Sequence, residues 1–214
     1  MIPTGKGFFI SVVGRVYKVE INGSRFVCHS VHLLDPQAPE LGDLIEYAQE
    51  AARGLSSISG TIHMELIWGR DGPVMIEANP RLPGAGLPSL YSRVYNPDLL
   101  SATVCTYLGK PITYRGTLTP ASSPKRERFG RLVCLISEAE HEFAGLKERD
   151  LKALRTLKSY CGHKLYIKEH DIVLRTIDFA TCPGVVFLAH ESLQRLEEDE
   201  KSVRNIFARY LGMD

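Results

Sequence analysis

The chain has 214 residues, of which 44% are hydrophobic and 24% charged, a composition typical of a globular protein. Its 26 Lys and Arg residues nearly balance the 25 Asp and Glu residues, which argues against a nucleic-acid-coating protein or a polybasic membrane binder. The sequence has neither an apolar run of about 18 residues nor a secretory leader pattern. We therefore expect a soluble, cytoplasmic protein without nucleic-acid or membrane partners.

The first third of the chain has the pattern of β-structure followed by a helix. Asn22-Gly23 lies between two runs rich in β-branched and aromatic residues, which is the strongest short-range signal for a hairpin. Apolar residues at helical spacing then predict a helix over residues 41–55. A second hairpin is predicted about the turn at residues 70–73. The predicted strands span 8–13, 16–21, 25–33, 61–68 and 74–78.

The remainder of the chain alternates short strands with helices. Residues 82–88 contain two glycines and two prolines and are predicted to form an irregular loop, and the polar stretch 119–128 a linker. Helices are predicted over 89–95, 97–108, 150–160 and 193–211, and strands over 132–136, 164–168, 172–174 and 184–189. The sequence thus predicts an α+β protein with a mostly antiparallel sheet and packed helices.

The five cysteines stand singly, with no Cys-x-x-Cys pair; they are Cys28, Cys105, Cys134, Cys161 and Cys182. An odd and dispersed set is typical of reduced thiols rather than of a disulfide framework. The clustered ligands of a structural zinc site are also absent. We interpret the cysteines as packing residues or inert thiols.

Polar residues with metal-binding chemistry gather on the second predicted hairpin. His63 and Glu65 share one face of the first strand, Glu77 and Asn79 share one face of the next, and Arg81 follows that strand. Two opposed carboxylates repel each other unless a cation lies between them. Oxygen ligands without thiolates suit Mg²⁺ or Mn²⁺, and an arginine suits a phosphate or a carboxylate. The alternative is an ordinary exposed hairpin with solvated charges.

The segment GTIHMELIWGRDGPVMIEANPRLPGAG resembles the metal- and nucleotide-binding core of the ATP-grasp superfamily. An acidic residue twelve positions before an E-x-N-x-R triplet matches that superfamily, here Glu65 before Glu77, Asn79 and Arg81. The resemblance implies that Glu65, Glu77 and Asn79 ligate Mg²⁺ bound to ATP. Arg81 would then contact the nucleotide and steady the transferred phosphoryl group or the acyl-phosphate.

Within the superfamily, His-x-Glu and N-P-R-L-x-G resemble the L-amino-acid ligases, which are similar in architecture to biotin carboxylase. The implied reaction joins a small-molecule carboxylate to an amine through an acyl-phosphate. Gly84 and Gly86 would form a substrate loop whose backbone N–H groups approach that intermediate, with turn-making alone as the alternative. His63 is a candidate catalytic residue, with a satisfied strand histidine as the alternative.

The resemblance covers only the C-terminal half of the ATP-grasp fold. It implies a catalytic-domain half over residues 1–118 and a small C-terminal α/β subdomain over 119–214. The lid lysines and most adenine contacts would belong to an N-terminal half, supplied in cis or by a partner subunit. The chain alone would be incomplete and inactive, whether it is a fragment, one half of a split enzyme or a relic, and a homodimer is a further expectation.

Two other functions remain open from the sequence. One is a carboxylase-type ATP-grasp enzyme that uses bicarbonate. The other is a non-catalytic binding or dimerisation module with a vestigial acidic site. The leading hypothesis is the ATP- and Mg²⁺-dependent carboxylate–amine ligase.

Overall fold

The computed structural model describes residues 2–4, 7–9, 12–55, 60–96, 103–104, 107–108, 113–114, 117–118 and 125–212. The chain forms two compact units. The first comprises Met1–Val13 and Leu34–Glu127, and the second comprises Gly14–Leu33 and Arg128–Asp214. The boundary between domains that the sequence places after residue 118 stays a prediction. The contacts of segment Gly14–Leu33 assign it to the second unit.

The first unit is built from short antiparallel ladders and helices. The paired strands are β1 (Ile2–Thr4) with β2 (Gly7–Phe9), β5 (His63–Gly69) with β6 (Gly72–Asn79), β7 (Tyr95–Asn96) with β10 (Lys125–Arg126), and β8 (Thr113–Tyr114) with β9 (Thr117–Leu118). Its helices are α1 (Gly42–Gly54), preceded by a 3-10 turn over Pro39–Leu41, and α2 (Leu87–Val94).

Helix α1 supports the β5–β6 hairpin from one side. It lies against β2 and β6, and Ala48 and Ala52 are buried on it. Tyr47 of α1 accepts a hydrogen bond from the backbone N–H of Met75 through its hydroxyl oxygen, at 3.1 Å. This contact ties a backbone donor of β6 to the helix and so helps to fix the hairpin that carries the acidic residues.

The second unit is built around a five-stranded sheet in the order β13-β15-β11-β4-β3. These strands are β3 (Val13–Ile21), β4 (Ser24–Leu34), β11 (Phe129–Cys134), β13 (Tyr160–Leu165) and β15 (Gly184–His190), while β12 (His141–Glu142) pairs with β14 (Ile172–Val173). The helices are α3 (Glu148–Thr156) and α4 (Leu193–Leu211). The pairs of β11 with β15, β11 with β4 and β13 with β15 are all antiparallel.

The core of the second unit lies between this sheet and its helices. Strand β15 is buried from Gly184 to Ala189, as expected of a continuous apolar run in the middle of a sheet. Helix α4 packs against β15 and β11 and buries an apolar stripe formed by Leu196, Val203, Phe207 and Leu211. Ser192 caps the start of the helix, because its hydroxyl accepts a hydrogen bond from Arg195 N. Gly212 follows the last helical residue and has a left-handed conformation.

The α+β class, the mostly antiparallel pairing and most predicted elements are confirmed. Asn22 and Gly23 adopt φ values of 52° and 77° in the turn between β3 and β4, as the predicted hairpin requires. The predicted helix over 193–211 has the predicted bounds, and those over 41–55, 89–95 and 150–160 are displaced at their ends by up to four residues. In the described part of the chain, no helix is long and apolar enough to span a membrane.

Some predicted elements differ from the structure or lie outside it. The strand expected over 164–168 lies earlier in the chain, as β13 at Tyr160–Leu165. Its position is set by pairing with β15, which includes Gly162, a residue of low β-propensity that the sequence pattern does not mark as a strand residue. Part of the expected linker is ordered, because Lys125–Arg126 pairs with Tyr95–Asn96. Residues 119–124 and much of the expected helix over 97–108 lie outside the described residues, although Thr103, Val104 and Tyr107 are helical.

Candidate functional site

The two predicted metal-binding carboxylates lie on one rung of the β5–β6 ladder. Glu65 pairs directly with Glu77, and His63 pairs with Asn79. Because directly opposed residues of an antiparallel ladder lie on the same face, these four side chains share one face of the hairpin. The ladder then shifts register, since Leu66 pairs with Met75 and leaves an extra residue on β6. The bulge follows the acidic rung directly.

Three of these side chains come within reach of a single cation. One ligand atom each from His63, Glu65 and Glu77 lies within 4.8 Å of the other two, a grouping with no counterpart among the other His, Cys, Asp and Glu side chains that the structure describes. Both glutamates are exposed and His63 is partly buried. Carboxylates at this spacing repel each other, and a divalent cation between them removes that repulsion.

Asn79 is hydrogen-bonded to one of the carboxylates. Its amide nitrogen Nδ2 donates to Glu77 Oε1 at 2.7 Å. The bond orients the Glu77 carboxylate and uses the nitrogen of the amide, so the oxygen Oδ1 is the atom of Asn79 that can ligate a metal. Two carboxylates and an amide oxygen are hard donors, and this donor set fits Mg²⁺ or Mn²⁺.

The ring of His63 is partly buried beside the carboxylates. Its Nδ1 is buried and has no hydrogen-bond partner among the described residues. Burial lowers the pKa of His63, Arg81 lowers it further, and Glu65 and Glu77 oppose the shift. The imidazole is therefore neutral near neutral pH and has a nitrogen that can accept a proton or bind a ligand.

Arg81 lies just beyond the end of β6, and its side chain is exposed. Its backbone N–H donates to Asn79 O at 2.8 Å, which turns the chain sharply after the strand. Its Nη1 donates to Leu82 O at 3.0 Å. Its positive charge lowers the pKa of His63.

The loop after Arg81 leads directly into α2. Ala85 and Gly86 have φ values of 57° and 77°, and Gly86 is the residue before the first turn of the helix. Its carbonyl accepts from Ser89 N at 3.1 Å and from Ser89 Oγ at 2.7 Å. A Cβ at Gly84 would meet no atom within 4 Å. The left-handed conformation of Gly86 therefore favours glycine at that position. The backbone at Gly84 borders open space, where a side chain would meet no neighbour.

Sequence reasoning missed the apolar surface of the same hairpin. Ile67 and Val74 form the second rung beyond the bulge, and they are 56% and 51% exposed. Trp68 is 56% exposed and Ile76 is 62% exposed. The signal was present in the sequence, because the run Leu66–Trp68 breaks the alternation of apolar and polar residues that a half-exposed strand normally shows.

Comparison with known proteins finds one curated relative by sequence. Over 101 residues the chain is 32% identical to carnosine synthase 1 of Gallus gallus, and this alignment covers 47% of this chain and 10% of that protein. No protein-family model matches the chain.

Several solved structures match nearly the whole chain. L-amino acid ligase from Bacillus licheniformis matches with a TM-score of 0.68 and 16% identity, over 91% of this chain and 49% of that one. Phosphoribosylglycinamide synthetase from Anaerococcus prevotii matches with a TM-score of 0.66 and 12% identity, over 96% and 50%. The N5-carboxyaminoimidazole synthase from Aspergillus clavatus, solved with ADP, matches with a TM-score of 0.56 and 14% identity, over 92% and 47%. The chain thus spans about half the length of these structures.

Proposed function

We propose that this chain, which has the fold of about half of an ATP-grasp enzyme, is part of an ATP- and Mg²⁺-dependent carboxylate–amine ligase. The ATP-grasp fold expected from the sequence is confirmed by the matched structures, and the reaction and its residues are our proposal. One observation carries it. Glu65 and Glu77 oppose each other on a single rung, with a His63 nitrogen within 4.8 Å and Asn79 bonded to Glu77.

In the proposed reaction the substrate carboxylate takes the γ-phosphoryl group of ATP, giving an acyl-phosphate and ADP. The amine nitrogen then attacks the acyl carbon, and phosphate leaves as the amide forms. Glu65, Glu77 and Asn79 Oδ1 would hold Mg²⁺ or Mn²⁺, which neutralises charge on the phosphate oxygens when bound. Such chemistry depends mostly on positioning and charge, so two exposed carboxylates on one face of a hairpin are suitable ligands.

The other site residues complete the proposal. Arg81 would contact the transferred phosphoryl group, because a guanidinium presents a fixed pair of donors to phosphate oxygens. His63, uncharged near neutral pH and beside the two carboxylates, would accept a proton as the amine reacts. The loop from Gly84 to Gly86, where two residues have positive φ, would place backbone N–H groups near the acyl-phosphate.

The rest of the nucleotide site would come from a further polypeptide segment of similar length, in cis or as a partner subunit. The chain covers 49% of the L-amino acid ligase and 50% of the phosphoribosylglycinamide synthetase it matches. We propose that the other half supplies the contacts to adenine and the remaining phosphate oxygens. The substrates would be a small-molecule carboxylate and an amine, and the described cysteines, all thiols, support a cytoplasmic location.

The test is Glu77→Gln in the complete enzyme that contains this chain. We expect substrate-dependent ADP release to fall by about a hundredfold or more, because the amide removes the charge on which the metal site depends. Glu50→Gln, at an exposed carboxylate on α1, is the matched control and should retain activity. Normal ADP release by Glu77→Gln would refute the assignment.

A second measurement does not depend on turnover. Electron paramagnetic resonance of Mn²⁺ titrated into the 214-residue chain should show bound ion in the wild type and in Glu50→Gln. Glu65→Ala should lose that signal, since only one carboxylate of the rung remains. Equal Mn²⁺ binding by Glu65→Ala and wild type would contradict the proposed metal site.

A further inference from the structure

Two cysteines from neighbouring strands of the second unit have their sulfur atoms in contact. Strands β4 and β11 pair up to the rung of Ser30 with Val133. Cys134 follows Val133 directly, and Cys28 precedes Ser30 by two residues. The Cys134 thiol donates to the Cys28 sulfur across 3.3 Å. A disulfide has an S–S length of about 2.05 Å, so a displacement of about an ångström would bring the two sulfurs to bonding distance.

The two thiols have different surroundings. Cys134 is fully buried, whereas Cys28 is partly exposed. The hydrogen bond from Cys134 lowers the pKa of Cys28, and the charges of Lys18 and Arg204 lower it too, against the effects of burial and of Cys182. The hydrogen bonds of Cys134 with Cys182 and Cys28, together with burial, raise the pKa of Cys134. Cys28 is therefore the thiol of the pair that ionises more readily and has access to solvent, and Cys134 is a buried thiol in contact with it.

The third nearby cysteine, Cys182, is also hydrogen-bonded to Cys134, and this bond lowers the pKa of Cys182. Cys182 is only 5% exposed, so it lacks the access to solvent that Cys28 has. The Cys182 thiol contacts the carbonyl oxygens of Leu135 at 3.3 Å and Gly184 at 3.1 Å, so backbone acceptors engage its proton. The three thiols are also not a metal site, since the ligand cluster found among the described residues is that of His63, Glu65 and Glu77. The contact between Cys28 and Cys134 thus points to thiol chemistry rather than to metal binding.

We propose that Cys28 and Cys134 are a reversible redox pair, in which a hydroperoxide oxidises Cys28 and Cys134 resolves the product as a disulfide. The Cys28 thiolate attacks the terminal oxygen of the peroxide, the O–O bond breaks, and the leaving alkoxide or hydroxide takes a proton. Cys28 is then a sulfenic acid. The Cys134 sulfur attacks the Cys28 sulfur, the S–O bond breaks, and water leaves with the Cys134 proton. Two thiols and one peroxide give one disulfide, one alcohol or water, and one water.

The proposed bond would join β4 to β11 inside the five-stranded sheet. The two cysteines are 106 residues apart in the sequence, so the disulfide closes a long loop and restricts the unfolded chain. The oxidised protein should therefore resist thermal unfolding more than the reduced protein. A dithiol reductant should reverse the change.

The experiment treats the whole 214-residue chain with hydrogen peroxide and then alkylates the remaining thiols under denaturing conditions. We expect the oxidised protein to carry alkyl groups on three of its five cysteines, whereas the untreated protein carries five. Peptide mapping should link Cys28 to Cys134, and Tm should rise. In Cys134→Ala the disulfide should be lost, and dimedone should instead trap a sulfenic acid at Cys28. In Cys28→Ser both products should be lost.

The control variants separate this chemistry from general thiol oxidation. Cys161→Ser, at a partly buried cysteine of β13, and Cys182→Ser should both retain the link between Cys28 and Cys134. Circular dichroism shows whether Cys134→Ala folds. If it does not fold, Cys28→Ser tests the proposal, because a substitution at this partly exposed residue disturbs the core less. The proposal is overturned if peroxide leaves Cys28 and Cys134 unlinked in the folded wild type, or if the link forms equally in the chain unfolded by urea.

Discussion

At the scale of single residues, Glu200 of α4 is a buried carboxylate held by two guanidinium groups. It is 7% exposed, it accepts a hydrogen bond from the equally buried Arg131, and it accepts from Arg204 Nη2 at 2.6 Å. Burial alone would raise the pKa of Glu200, but the bonds from Arg131 and Arg204 outweigh burial and lower it. Glu197 is a weaker second partner of Arg131, at 3.8 Å. Glu200 is thus the main counter-charge of a buried arginine.

We therefore expect Glu200→Ala to destabilise the second unit by about 3–5 kcal/mol, because it leaves the Arg131 charge buried without its main partner. Urea denaturation followed by far-ultraviolet circular dichroism measures the change. The matched control is Glu198→Ala, which removes an exposed pair with Arg195 and should cost about 0–1 kcal/mol. Equal losses in the two variants would contradict a structural role for the buried pair.

His32 makes the stability of the second unit depend on pH. The pKa of His32 is lowered from 6.5 to about 4, and burial is the largest cause. The charges of Arg131, His29 and Arg15 act in the same direction, and Glu200 opposes them. Its Nε2 shares a hydrogen bond with Ser30 Oγ at 3.0 Å. Between these two pKa values the unfolded chain binds the proton more tightly than the folded chain. Stability from His32 is therefore complete above pH 6.5 and is lost as the pH falls towards 4.

The prediction is that lowering the pH from about 7 to about 5 costs wild type about 1 kcal/mol more than it costs His32→Gln, after discounting for the solvent that reaches this ring. Urea midpoints at the two pH values give the difference. Histidines that do not interact with His32 titrate equally in both proteins and cancel. A wild type and variant with parallel pH dependence would show that His32 is not responsible.

At the scale of elements, the turn between β3 and β4 does more than reverse the chain. Asn22 Nδ2 donates to the carbonyl oxygens of Ser137 and Thr176, both at 2.9 Å. Ser137 O also accepts from Thr176 N at 2.9 Å. The turn residue therefore connects the β3–β4 hairpin to two loops that come much later in the sequence.

Two substitutions separate the backbone and side-chain roles of Asn22. Asn22→Gly keeps the left-handed conformation but removes both hydrogen bonds, and we expect it to cost about 1–2 kcal/mol. Asn22→Ala adds the strain of a left-handed alanine, about 1 kcal/mol more. Urea denaturation measures both. If Asn22→Gly were as stable as wild type, the bonds to Ser137 and Thr176 would contribute nothing.

The local elements were predictable because their signals are local. Asn-Gly fixed the first hairpin, and apolar spacing located α4 with its bounds. The E-x-N-x-R spacing brought Glu65, Glu77 and Asn79 to one strand pair, since alternation decides the face of every strand residue. The bulge after Glu65 and the contact of Tyr47 with Met75 depend on how strand and helix meet in three dimensions, which no local pattern encodes.

At the scale of the whole molecule, the second unit is assembled from two separate segments of the chain. Gly14–Leu33 supplies most of β3 and β4, and Arg128–Asp214 supplies the rest. This arrangement was not predictable from composition, because the linker-like stretch 119–128 indicated a single boundary between two continuous domains. Pairing of β4 with β11 is a long-range contact, and only the register of the assembled sheet reveals it.

Residues 128–214 expressed alone should therefore fold poorly. Without β4, the strand β11 becomes an edge strand, and its backbone groups that face β4 along Gly130–Val133 lose their partners. Such an apolar edge promotes aggregation. We expect low soluble yield and a broad urea transition, and recovery when residues 14–34 are fused through a short flexible linker. A cooperative transition for 128–214 alone, at the midpoint of the whole chain, would contradict this expectation.

The Asn22 contacts also bear on synthesis. Asn22 and Thr176 are 154 residues apart, so during translation the β3–β4 hairpin leaves the ribosome long before any of its carbonyl acceptors exists. The larger segment of the first unit, Leu34–Glu127, lies between these two residues in the sequence. It can begin to fold before β11 exists to pair with β4. We therefore expect nascent chains that are halted before β11 to bind chaperones through the unpaired β3–β4 hairpin. The chaperones should be released once β11 and β15 have emerged from the ribosome.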